Sequence, residues 1–173
     1  FAGHLAKILP DMANATARLD AGGVMRAAAR LIGMGEGLTP SGDDFLAGYL
    51  AALRSRAQVE WEIDMLLREL ERPLGALVRR THAISRQMLN DALRGRFAQT
   101  LVDVASAIAG TGRLACATTR ALDCGHSSGA DTLCGLLFGY SPTLVLQGMP
   151  SRPRLAGYAR IGGRATSVAG AMV

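Results

Sequence analysis

Residues 33–48 read Gly33-Met34-Gly35-Glu36-Gly37-Leu38-Thr39-Pro40-Ser41-Gly42-Asp43-Asp44-Phe45-Leu46-Ala47-Gly48, and a reduced copy returns at 124–135 as Cys124-Gly125-His126-Ser127-Ser128-Gly129-Ala130-Asp131-Thr132-Leu133-Cys134-Gly135. Superimposed, the two share Ser-Gly-x-Asp-x-Leu-x-Gly. Ser41 pairs with Ser128, Gly42 with Gly129, Asp44 with Asp131, Leu46 with Leu133 and Gly48 with Gly135. Each copy runs from a glycine loop into an apolar helical pattern, so the chain holds two similar helix starts. Gly48 and Gly135 fall one turn inside their helices. Matched glycines there suit a close crossing of the two helices about a pseudo-two-fold axis, with both helix starts at one composite cleft.

Outward from these motifs the chain reads as helix throughout. Helices are expected from Phe1 to about Arg18 with Pro10 in the middle, at Val24–Ile32, and from Asp43 to about Ala57. Others are expected from about Glu60 to Glu71 with a stop at Pro73, from Leu74 to about Gly95, and from Phe97 to about Ala109. The last run from Arg113 to Leu122 and from Thr132 to Tyr140. Thr143 to Leu146 is the only strand candidate. The expected fold is an all-α helical bundle with an internally duplicated loop-to-helix motif. Residues 1–150 would form one helical domain, and 151–173, rich in Arg, Gly, Ala and Ser without periodicity, a flexible tail.

Composition agrees. The 173 residues suit one domain, and 49% are apolar, mainly Ala and Leu rather than β-branched or aromatic. The formal charge is +5 and the sequence pI about 9.7, carried almost wholly by Arg, since Lys7 is the only lysine. The arginines are scattered and aromatic residues for base stacking are scarce, which argues against nucleic acid and suits small anionic substrates. Cys116, Cys124 and Cys134 form no disulfide framework and read as reduced, partly buried thiols of a cytoplasmic protein. Cys124-x-His126 lacks the further ligands that zinc needs, so no metal or cofactor is expected. The apolar stretch 132–149 is interrupted by Gly, Ser, Pro and Gln, which argues against a membrane span.

Ser41-x-x-Asp44 and Ser128-x-x-Asp131 fit capping boxes, in which the hydroxyl accepts from the first-turn backbone and the carboxylate reaches back. Capping alone does not need the glycines around it. Gly35, Gly37, Gly42 and Gly129 strip side chains from two helix N-termini, where backbone amides and the helix dipole favour anions. Ser41, Ser127 and Ser128 would add hydroxyls, as would Thr39. The glycine spacing is neither a dinucleotide fingerprint nor a P-loop. With Asp44 assigned to the cap, Asp43, whose counterpart is Ala130, stands out as a catalytic or substrate-orienting acid. His126 sits at the mouth of the second helix, where a lowered pKa suits a proton donor. Thr81 and Ser85 are spaced to share one helical face and could line the same pocket.

Three motifs together resemble a bacterial family that includes the AllH-type subunit of oxamate carbamoyltransferase. They are G-x-G-x-G-L-T-P-S-G-D-D-F-L-A-G at 33–48, T-x-x-I/A-S-x-x-x-L-x-x-A at 81–92 and G-H-S-S-G-x-D-T-L-x-G at 125–135. The resemblance covers roughly residues 1 to 140; it implies that family members carry a further N-terminal portion not expected within these residues, and that the tail after Tyr140 is not a family ending. It implies a subunit acting in the catabolism of purine-derived ureides such as allantoin, with other carbamoyltransferase subunits as partners. The implied reaction is phosphorolysis of oxalurate to oxamate and carbamoyl phosphate. Two adjacent anion sites would hold the two reactants, with His126 protonating the departing nitrogen. The competing expectation is a non-catalytic scaffold or a regulatory metabolite-binding subunit of the same assembly.

Overall fold

The computed structural model describes residues 2–125 and 127–146, with side chains for 7–125 and 127–140. Among the described residues eight α-helices follow one another: α1 Ala2–Ala17, α2 Ala21–Leu31, α3 Ser41–Arg56, α4 Trp61–Leu77, α5 Ala83–Leu93, α6 Gln99–Ile108, α7 Leu114–Leu122 and α8 Ser128–Leu146. No strand occurs among the described residues, and the Thr143–Leu146 strand candidate lies within α8. His126 and residues 147–173 lie outside the described residues, and with them the tail and the boundary at 150.

Helix ends follow from local chemistry. At the start of α2 the Asp20 carboxylate accepts from the Gly23 N–H at 2.9 Å. The helix ends where Gly33 adopts φ +72°, a left-handed geometry that glycine takes at no steric cost. Pro10 lies inside α1. Pro73 lies inside α4 rather than ending it. It removes one backbone donor, but Glu69 and Pro73 are both exposed, so water can reach the carbonyl left over. The expected helix 74–95 is broken instead at Val78–Arg80, a 3₁₀ turn, and at Thr81, which is extended (φ −105°, ψ 176°). Thr81 and Ser85 therefore do not share a helical face.

Helix α3 is the central element, with every residue from Gly42 to Leu53 buried. On one side its Phe45, Tyr49 and Leu53 pack with Met12 of α1, Leu31 of α2, Leu66, Leu67 and Leu70 of α4 and Leu89 of α5. On the other, Ala51 and Ala52 meet Leu101, Val104 and Ala105 of α6 together with Leu133 and Leu136 of α8. Burying a Leu of this kind stabilises the fold by about 1.5–3 kcal/mol. The Tyr49 hydroxyl, which would otherwise be stranded in the core, pairs with Thr16 Oγ1 at 2.7 Å.

The most extensive helix contact is between α3 and α8. A Cβ on Gly48 would lie 1.9 Å from the Thr132 carbonyl oxygen, and one on Gly135 would lie 1.9 Å from that of Phe45. The two approaches are reciprocal, since Phe45 and Thr132 hold matching motif positions. One turn further on, Gly139 meets Tyr49, so the helices advance in the same direction and their N-termini lie at one end. The matched glycines thus act as expected, by letting two backbones touch.

Candidate functional site

Both helix starts are built the same way. The Gly42 N–H donates to the Met34 carbonyl at 2.8 Å, and the Gly129 N–H donates to the Cys124 carbonyl at 3.0 Å. A Cβ on either glycine would sit 2.0 Å from a carbonyl oxygen of the preceding helix, Leu31 in one case and Ala121 in the other. These two glycines admit a neighbouring backbone rather than a ligand, and their amides are engaged. That corrects the expectation that they open the first turn to an anion.

The capping boxes are also corrected. Helix α3 starts at Ser41 itself, its N-cap is Pro40, and no side chain caps it. The Pro40 carbonyl accepts from the Asp43 and Asp44 amides at 2.8 and 3.2 Å. In α8 the Asp131 amide reaches the Ser127 carbonyl at 3.0 Å, and Asp131 Oδ2 is buried with no hydrogen-bond partner.

Asp44, expected to serve the cap, is instead the acid without a partner, and Asp43 is the one engaged. Asp43 is fully buried and committed: its Oδ1 accepts from the Gly33 N–H at 2.8 Å and its Oδ2 from the Thr81 hydroxyl. It ties the end of α2 and the turn before α5 to the start of α3. Asp44 is 1% exposed, and neither of its oxygens has a partner within hydrogen-bonding geometry. Its carboxyl is pushed up to about 6, first by burial and then by the negative charges of Asp131 and Asp43. The hydroxyls of Ser128 and Thr39 lie close enough to draw it part of the way back.

The site residues therefore fall into three groups. Thr39, Asp44, Ser128 and Asp131 come together between the two helix starts. Asp43 and Thr81 join on another side of α3's first turn, and the Ser85 hydroxyl lies 3.5 Å from the Leu38 carbonyl, so Thr81 holds the start of α3 and Ser85 the loop before it. Gly35 and Gly37 shape the exposed loop with φ of +115° and +89°. A Cβ on Gly35 would strike the Ser41 nitrogen at 2.7 Å, whereas Gly37 faces open space. Ser127 is exposed. None of the amides from Gly35 to Thr39 finds a protein acceptor among the described residues.

A pocket of about 450 Å³ opens beside the start of α8. Ser128, Gly129 and Thr132 form one wall; Met88 and Ala92 of α5, Phe97 and Leu101 form the apolar remainder. Arg96 lies at this pocket with its guanidinium hydrogen-bonded to Asp91, and that bond, followed by one from Gln87, chiefly holds the Asp91 carboxyl below the usual range. The sequence reading missed Arg96, Asp91 and Thr100. The only local signal was Gly95, whose φ of +74° turns the chain after α5.

All three cysteines are exposed rather than partly buried. Among the described residues no three His, Cys, Asp or Glu side chains converge on a common point. No helix there is long and apolar enough to cross a membrane.

This architecture defines an all-helical domain organised on two parallel, glycine-packed helices whose starts share one end. Residues 31–140, well over half of the chain, match the family described as oxamate carbamoyltransferase subunit AllH, and the chain belongs to that family. Both motifs, the acids between them and the pocket lie within the matched region. No solved structure matches the chain. Membership makes it a carbamoyltransferase-related subunit of a multi-subunit enzyme.

Proposed function

We propose that this chain binds the small anions of a carbamoyl transfer at the shared end of α3 and α8. Their parallel packing is the observation that carries this reading. It sets two helix N-termini side by side, each with about half a positive charge. Buried carboxylates already occupy the space between them, so the anions lie outside it. Phosphate suits the Gly35–Thr39 loop amides with the Thr39 and Ser41 hydroxyls, since consecutive unpaired amides form an anion cradle. The carboxylate of oxalurate, or of another ureido acid, suits the pocket mouth, where Ser128 and Arg96 supply donors and the exposed Ser127 precedes Ser128 in the chain. A phosphate oxygen would then attack the carbamoyl carbon, the bond to the oxamate nitrogen would break, and that nitrogen would take up a proton. His126 is the proposed proton donor.

The full chain is the material for the test, with thermal unfolding followed against phosphate, carbamoyl phosphate and oxalurate. Ligand at about 100 times its dissociation constant adds about 2.7 kcal/mol of stability. The expected result is a rise in Tm that shrinks in a Thr39→Val, Ser128→Ala double variant. Gly42→Val is unsuitable, because its side chain would strike the Leu31 carbonyl. Absence of any shift with all three anions would overturn the reading.

A further inference from the structure

Three carboxylate oxygens between the starts of α3 and α8, both of Asp44 and Oδ2 of Asp131, are buried and accept no hydrogen bond. The ion pairs among the described residues involve neither residue. Buried polar atoms without partners are few in folded proteins, and an unpaired buried carboxylate is among the costliest. Both groups arrive at this place through the same motif position, because the reciprocal glycine contacts align the helices. The neighbouring side chains are also oxygen donors, the hydroxyls of Ser128 and Thr39.

We propose that this interhelical space is a hard-cation site, for Mg²⁺ or Mn²⁺, with Asp44 and Asp131 as carboxylate ligands and Ser128 and Thr39 as hydroxyl neighbours. An all-oxygen donor set selects hard divalent ions over zinc or copper. Magnesium is commonly held by only one or two carboxylates, with water or substrate phosphate oxygens completing six ligands, so a third acidic side chain is not required. A cation here neutralises charge that the protein leaves uncompensated, and it stands next to the loop amides. It is independent of which anion binds, and its test uses no substrate.

The full chain is titrated with Mn²⁺, followed by electron paramagnetic resonance, and its Tm is measured with Mg²⁺, Mn²⁺ and, at matched ionic strength, K⁺. The expected result is saturable binding of one Mn²⁺ displaced by Mg²⁺, with a rise in Tm that K⁺ does not reproduce. Asp131→Asn should abolish both effects, while Asp123→Asn, an exposed acid outside the site, should leave them intact. Asp44→Asn gives the same loss if it folds, and Asp131→Asn keeps the test decisive if it does not. No saturable Mn²⁺ binding, or binding that survives Asp131→Asn, overturns the proposal.

Discussion

Asp44 is held between two helix starts with neither oxygen bonded, and burial together with Asp131 and Asp43 raises its carboxyl to about 6. An aspartate in an unfolded chain titrates near 3.8. The folded state therefore binds this proton more tightly, and stability should fall as pH rises from about 4 to about 6, then level off. Without divalent cations, Asp44→Asn should flatten that slope and add at most about 3 kcal/mol at pH 7. Urea midpoints of both proteins across the window would show it, and an unchanged slope in the variant would refute the assignment. Asp43 is the opposite case, a buried carboxylate with both oxygens satisfied. Thr81→Val should cost about 1.5–3 kcal/mol, since a hydrogen bond to a charged group is lost inside the fold; a loss below about 0.5 kcal/mol would contradict its role as a tie. The sequence placed both acids at the helix start and gave the local hydrogen-bonding duty to Asp44, whereas in the structure Asp43 is the acid that is hydrogen-bonded. The partner that commits Asp43 lies 38 residues away, beyond any local pattern.

At the scale of the element, the α3–α8 contact depends on glycine for space. Gly48→Ala and Gly135→Ala each set a Cβ 1.9 Å from a backbone carbonyl, which no rotamer change can relieve. Each should cost more than about 3 kcal/mol or abolish folding, because an overpacked core must move backbone. Gly75→Ala is the matched control. Nothing lies within 4 Å of its added Cβ, and inside α4 it should stabilise by about 0.5–1 kcal/mol. Equal effects at the three positions in denaturant unfolding would show that helix propensity, not close packing, governs them. The crossing was legible in the sequence because the glycines recur at equal distance from matched Ser-Gly-x-Asp starts. Two helix bounds were not. Pro73 stays within α4 because its missing donor leaves a carbonyl on the wet face, and Thr81 breaks the following helix to reach Asp43.

For the whole molecule, α5, α6, α7 and α8 enclose a pocket that no single segment announces. Arg96 at that pocket is ion-paired to Asp91 but largely exposed, and such pairs contribute about 0–1 kcal/mol. Arg96→Met should therefore leave Tm nearly unchanged while weakening the Tm shift produced by oxalurate. A fall in Tm with an intact oxalurate shift would make Arg96 a structural residue only. The exposed Val59 in the turn before α4, with Trp61 and Met65 in its first turns, shows that not every large apolar side chain is buried.

By itself the sequence determined the helical class, through its Ala- and Leu-rich periodicity. It also determined that two equivalent helix starts must approach closely, through glycines that no other residue could replace. Family membership was legible for the same reason, since the motifs are long and their spacing is specific. Only the tertiary structure decided which acid is bound and which is bare, that Gly42 and Gly129 face backbone, and where the pocket opens. Those outcomes rest on contacts between helices far apart in the chain, and burial and electrostatic coupling arise only once the helices are packed.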